Sequence, residues 1–314
     1  MNSLRALLIV TLALWAQASI AQHRLITQGN NRLAIIAANG DVEWEMPWGA
    51  IHDIHVLTNG HIMVQRDRMG DIVEIDPVTK SVVWNYHAAK RNGNEARRIE
   101  VHAFEPLPNG HLMISESGAE RIIEVDRDGT LISSIQMKLN KPNAHSDTRL
   151  VRKLANGNLL ACHEKDGFVR EYTDQGELVW EFEVPLFDKP RKGGHGPEAW
   201  GNKVFCALRL ANGNTLIATG NGHSVLEVST DKTIVWQLHQ DELPEIRLAW
   251  VTTLEVLPNG HYVIGNCHAG AGQPMLVEID PKTKTVVWTF EQFERFGNSM
   301  SNSQLLDVGP DVIR

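Results

Sequence analysis

Residues 254–290 read LEVLPNGHYVIGNCHAGAGQPMLVEIDPKTKTVVWTF. An apolar run meets Asn259-Gly260, and a second run, Tyr-Val-Ile, leaves it. A variable loop follows, then Leu-Val-Glu-Ile-Asp, the turn Asp280-Pro281, and a last run ending near Trp288. Asn-Gly between two apolar runs is a strong hairpin signal, because both residues tolerate the positive φ of a type I′ turn. The stretch therefore predicts four antiparallel strands.

The same unit recurs along the chain. Asn-Gly stands at Asn59, Asn109, Asn156, Asn212 and Asn259, at intervals of 50, 47, 56 and 47 residues. IVEID, IIEVD, FVREYT, VLEVS and LVEID are third strands with period-2 polarity. Fourth strands end in VVWNY, LISSI, LVWEF, IVWQL and VVWTF, with Ser134 replacing the Trp in the second unit. That makes five complete units. Residues 24–46 supply a second, third and fourth strand with Trp44 in the usual place, and SNSQLLDV at the far end reads as a lone first strand. Joining the two ends closes a ring and hides the sheet edges. The expectation is an all-β, six-bladed β-propeller over residues 22–314 as one domain, with little helix beyond a turn near residues 241–247. The tryptophans are expected between blades.

The first residues, MNSLRALLIVTLALWAQASIAQ, have a basic start, an apolar run and the small-residue site Ser19-Ile20-Ala21. This is the form of a secretory signal peptide, residues 1–21, and predicts an exported protein, periplasmic or secreted. No other segment approaches the length of a membrane span. The formal charge is −8 and the Lys and Arg residues are scattered, which argues against nucleic acid as a partner. Three cysteines, Cys162, Cys206 and Cys267, are too few for a disulfide scaffold and are read as buried small residues.

Two details resemble known families. Asp76/Thr79/Trp84 and Asp280/Thr283/Trp288 match the spacing of the quinoprotein-like (PQQ-like) bacterial propeller repeat, with Lys80 and Lys284 where that family usually has Gly. The Leu-Pro-Asn-Gly-His turns at Leu107 and Leu257 resemble exported bacterial propellers, including aryl sulfotransferases. The resemblance implies the propeller fold over residues 24–308. The quinone-dependent dehydrogenases of that superfamily are typically eight-bladed and longer, so the resemblance does not carry a bound quinone here.

Topology locates the functional face. First strands run toward the Asn-Gly turns, so the opposite face carries their starts and the long loops between blades, where binding residues usually sit. Seven residues before each Asn stand His52, His102, Arg149, Phe205 and Thr252. Ends of second strands carry Arg66, Glu116, His163-Glu164, Asn266 and His268, and the longest loop carries Lys192-Gly193-Gly194-His195-Gly196-Pro197. His102, His145 and Arg149 are the candidate catalytic residues; His52, Arg66, Glu116, His163, Glu164, His195, Asn266 and His268 are candidate ligand contacts. Each His also has an ordinary reading as a hydrogen-bonded strand residue, and His61, His111 and His261, on the turn face, are given no function. The glycine-rich segment is read equally as a flexible crossover and as an anion cradle. A metal set drawn from His163, His195, His223, Cys267 and His268 lacks the close spacing of a zinc site, so no metal ligands are assigned.

No Gly-x-Ser-x-Gly elbow, phosphate loop, His-Glu-x-x-His or Rossmann fingerprint is present. The leading expectation is a monomeric propeller that binds a small anionic or carbohydrate-type ligand, or a protein partner, at the channel face. One alternative is a lyase, hydrolase or sulfotransferase using His102 or His145 as base or nucleophile and Arg149 as anion holder. The other is a quinone-binding oxidoreductase. The sequence requires no cofactor; PQQ or a divalent metal stays open.

Overall fold

The computed structural model describes residues 23–243 and 245–314. The cleavage site expected after Ala21 lies outside the described residues. Six four-stranded antiparallel sheets form the six blades of a β-propeller. Blade 2 is Ile54–Val56, Ile62–Arg66, Asp71–Asp76 and Ser81–His87, in that order. Blades 3 to 6 repeat the order and begin on Glu100–Pro106, Val151–Lys153, Cys206–Arg209 and Trp250–Val256. Blade 1 takes Leu25–Gly29, Arg32–Ile36 and Val42–Pro47 from the start of the chain and Ser303–Leu305 from its end. The closing pair is antiparallel, with Leu25 opposite Leu305 and Thr27 opposite Ser303. A 3-10 turn at Gln240–Glu242 overlaps the expected helical turn, and one short helix, Phe293–Phe296, precedes the closing strand.

The Asn-Gly turns differ from expectation. In each, the Gly N–H donates to the residue three before it, as Gly60 does to Leu57 and Gly260 to Leu257. Only the Gly has positive φ, between 83° and 90°; none of the five Asn residues does. This is a three-residue loop, a type I turn followed by a left-handed Gly, not a type I′ turn. It suits Pro at the second position, which Pro108 and Pro258 occupy. The Asn side chain accepts the N–H two residues on, as Asn59 does from His61 at 3.0 Å.

Burial follows the repeat. The fifth residue after each Asn (Val64, Ile114, Ala161, Ile217 and Ile264) is fully buried. Each such side chain contributes about 1–3 kcal/mol. In every blade the third and fourth strands slip register beside the residue opposite the Trp position, for example between Glu74 and Ile75; in blade 3 that position is Ser133, opposite Glu124, and not Ser134 as expected. A bulge there re-aims the side chains on either side. Four indoles reach the next blade, donating to a turn carbonyl: Trp44 to Pro77, Trp84 to Arg127, Trp180 to Thr230 and Trp236 to Pro281.

A second device joins the blades on the turn face. The Glu of the third strand takes a donor from its own blade on one oxygen and a group from the next blade on the other. Glu74 holds His61 and Arg127; Glu124 holds His111 and Lys153. Glu171 holds Asn158 and Arg209, Glu227 holds Asn214 and Tyr262, and Glu278 holds His261 and His23. In blade 1 the equivalent residue is Ile35. The histidines that follow the Asn-Gly turns are thus structural. Lys80 and Lys284, where the resembling repeat has Gly, sit at φ 55° and 57°, the left-handed conformation Gly adopts freely. All three cysteines are buried and free.

Candidate functional site

The register position seven before each Asn does converge at the channel mouth. His102 Nδ1 lies 2.7 Å from His52 Nδ1 and 3.0 Å from Arg149 Nη1. Phe205 packs against the His52 ring at 5.9 Å and under the Arg149 guanidinium at 5.9 Å. Thr252 lines the same space. His102 occupies a bulge, since Val101 pairs with Glu116 and Ala103 with Ser115, leaving no partner for the residue between. That extra residue directs its ring among the other inner strands.

Glu100 organises the histidines. Its Oε2 lies 3.1 Å from His102 Nε2 and 2.7 Å from His145 Nδ1, and Arg98 Nε donates to Oε1 at 2.9 Å. Burial alone would raise the Glu100 pKa, but these donors pull it down to about 2. The carboxylate is therefore ionised and requires a proton on His102 Nε2. That leaves His102 Nδ1 as an acceptor for Arg149 and for His52 Nδ1–H. Burial, with the Arg149 charge beside it, holds the His102 pKa at about 3. His52 is held well below 6.5 by burial and by His102 and Arg149. Both rings are neutral at physiological pH. In this tautomer His52 keeps an Nε2 lone pair, and neither it nor the His145 Nε2 has a hydrogen-bond partner among the described residues.

Around these groups lies a cavity of about 300 Å³. His52, His145, Arg149, Glu164, His195 and His268 line it, with Lys203, Phe205, Trp250, Thr252 and Cys267. Glu164 is in close charge contact with Arg149 Nε, off the N–H axis, so that neither atom has a hydrogen-bond partner among the described residues. Its other oxygen is 3.7 Å from Lys203. On the far wall His195 stacks on Trp250 at 4.9 Å, and His268 lies 5.2 Å from His195. Burial lifts the Cys267 thiol to about 12. Gly220 seats this wall: at φ +59° it bonds Val251, and a Cβ on it would stand 1.9 Å from the Lys203 carbonyl. One step further along the inner strands, Arg152 of blade 4 grips Asp53 of blade 2 through two hydrogen bonds of 2.8 and 2.9 Å.

Five of the sequence candidates lie outside the cavity lining, His102 because it sits fully buried behind His52 and His145. Arg66 pairs with Asp71 at 3.5 Å. Glu116 is fully buried and accepts from Arg121 at 2.7 Å. His163 is fully buried between the Asp147 carbonyl and the Tyr172 hydroxyl, at 2.8 and 2.9 Å. Asn266 ties down a loop, accepting from Ala249 N–H and donating to the Arg247 and Pro274 carbonyls. The metal set weighed from sequence disperses in the same way, for His163 is satisfied as described and His223 contacts the Ala199 carbonyl. Among the described residues, the ligand atoms that come together, within 4.8 Å, are those of Glu100, His102 and His145. The residues that sequence reasoning omitted are Glu100, Lys203 and Trp250. Glu100 carried a signal, an acid two residues before a His on a predicted inner strand.

A family model described as outer membrane protein assembly factor BamB matches residues 29–290. No protein of curated function matches the chain in sequence. Among solved structures, a protein of unknown function from Bacteroides caccae is 22% identical, with a TM-score of 0.73 over 91% of this chain and 100% of that one. A catalytically inactive virginiamycin B lyase from Staphylococcus aureus, solved with quinupristin, is 11% identical, with a TM-score of 0.58 over 94% and 95%. A streptogramin B lyase is 13% identical, with a TM-score of 0.57 over 92% and 95%. At these identities the likeness is one of fold.

Proposed function

The chain belongs to the PQQ-like propeller family whose model is described as outer membrane protein assembly factor BamB, and from that premise we propose an exported propeller that binds a small polar ligand at its channel mouth. The observation that carries this reading is the 300 Å³ cavity where Arg149, Lys203, the His52 and His145 imidazoles and an aromatic wall meet. Trp250 and Phe205 suit one face of a ring, sugar or aromatic. Lys203 and the histidines suit one carboxylate or hydroxyl group on it, with Arg149, paired to Glu164, as a further hydrogen-bond donor. The cavity has the size of a small-molecule site, and its lining is more polar than most such sites, which suits a polar ligand. The family's description as an assembly factor supports a protein partner reaching the same face, with a side chain of that chemistry inserted.

A PQQ-type quinone fits poorly. It is a flat tricycle with three carboxylates, and the cavity offers Arg149, already neutralised by Glu164, together with Lys203. The catalytic alternative is favoured by one observation, the uncommitted Nε2 atoms of His52 and His145 beside Arg149. They would take a proton from a ligand whose developing negative charge Arg149 holds.

The test is a thermal-shift screen of uronic acids, aryl glycosides and aromatic acids on the wild type and on Trp250→Ala and Arg149→Met. A hit that raises Tm in the wild type and in neither variant supports the site. A hit unaffected by both variants overturns it. Turnover of the hit, lost in His52→Gln with binding kept, would select the catalytic alternative.

A further inference from the structure

We infer that Glu100, His102 and His145 form a binding site for one divalent transition-metal ion of the zinc type, beside the ligand cavity. The inference stands apart from the ligand reading, because metal alone tests it. The three donor atoms already meet: Glu100 Oε2 is 3.1 Å from His102 Nε2 and 2.7 Å from His145 Nδ1. Ligand bonds of about 2.0–2.2 Å in a tetrahedral zinc site place donor atoms about 3.4 Å apart. Reaching that geometry opens the Glu100–His102 pair by about 0.3 Å and the Glu100–His145 pair by about 0.7 Å, and His145 is exposed enough to move. Two imidazoles and one carboxylate match zinc; magnesium and calcium prefer all-oxygen shells. Three protein ligands leave a fourth position for water or ligand, the pattern of reactive rather than structural zinc.

The surroundings orient these ligands as metal sites require. Arg98 fixes the outer oxygen of Glu100. His102 is fully buried, and its other nitrogen faces His52 at 2.7 Å. The nearby Arg149 charge is met by Glu164 before it can oppose the ion. Metal on His102 Nε2 has a chemical consequence. The ring's proton then resides on Nδ1 and His52 Nδ1 must accept it, so the His52 proton resides on Nε2. The count of protons is unchanged. Loading the site makes the Nε2 atoms of both His52 and His145 donors at the cavity, and Arg149 Nη1 gives up its hydrogen bond to His102 Nδ1 and keeps the one to the His145 carbonyl.

The test is calorimetric titration of chelator-treated full-length protein with zinc chloride, with native mass spectrometry for stoichiometry. The inference expects one zinc per chain, with affinity at least about 100-fold weaker in the Glu100→Gln/His145→Ala double variant. His268→Ala, on the opposite wall, should bind as the wild type does. His145→Ala alone, on a half-exposed loop residue, keeps the test valid if the double variant fails to fold, and should itself weaken binding about tenfold or more. Absence of binding in the wild type, or an undiminished adduct in His145→Ala, would overturn the inference.

Discussion

The two ends of the propeller both pair histidine with glutamate, to opposite effect. On the turn face each Glu holds one His or Asn of its own blade and one group of the next, so five copies of one clasp stitch neighbouring blades. At the channel mouth a single Glu, Glu100, holds two histidines, and the second oxygen goes to an exposed Arg. The first arrangement is repeated around the ring, with a carboxylate mostly shielded from water and, in three copies, a His partly open to it. The second occurs once and draws on one inner strand and a loop, joining a fully buried His102 to an exposed His145. Identical residue types thus become mortar at one end and a prospective site at the other; the difference is that two imidazoles converge on one carboxylate oxygen at the mouth, whereas each clasp spreads its partners over two.

The largest expected effect breaks the charge balance of the mouth. Glu164→Ala leaves the Arg149 guanidinium buried without its carboxylate, and should cost about 3–5 kcal/mol in urea unfolding. A loss below ~1 kcal/mol would show that the mouth is wetter than described.

Next, pH should separate the two ends. His102 and His163 are held near 3 and 4 by burial, helped by Arg149 and Arg170, against 6.5 unfolded. The unfolded chain then binds protons that the fold refuses, so their contribution is complete above pH 6.5 and lost as pH falls toward 4. Burial would raise Glu74 and Glu124, but their His and cation partners hold both below 4.5. Their contribution is lost only below pH 4.5. Urea midpoints at pH 7.5, 5.5 and 4 should fall already in the first step, and less so in His163→Asn. A flat profile down to pH 5 would contradict the neutral buried rings.

Smaller still, Glu74→Ala should cost about 1–2 kcal/mol, since Arg127 and His61 regain water. The smallest effect belongs to His61→Asn. It copies Asn158 and Asn214 at the same position, so unfolding free energy should change by less than about 0.5 kcal/mol. A loss above ~1 kcal/mol would mean that the imidazole does more than clasp.

The fold was legible because each repeat carries its own turn chemistry and alternation. Even the closure could be read, from three strands at the start and one at the end. The turn type was misread, because Asn-Gly serves two loop lengths and the hydrogen bond from Gly to the residue three before it decides between them. The mouth was half legible. A fixed offset from Asn picks His52, His102 and Arg149 because first strands share a register. Glu116 and Asn266 sit at equally suggestive strand ends yet are absorbed by Arg121 and by a loop. Which polar residue finds a local partner depends on loop paths that no repeat encodes. Trp250 and Lys203 meet only because Gly220 admits a close backbone approach.

The seam in blade 1 also sets an order in time. Leu25–Gly29 emerges early in synthesis, but its inner neighbour, Ser303–Leu305, comes last. Until then the first blade has a bare inner edge and the channel mouth lacks Ser301, whose hydroxyl bonds the Ile51 carbonyl. Pairings this distant in sequence are slow to form, so ring closure should be the late step of folding. A circular permutant with its ends moved between blades 3 and 4 would shift that step elsewhere, and its refolding rate would report how much of the barrier the seam holds.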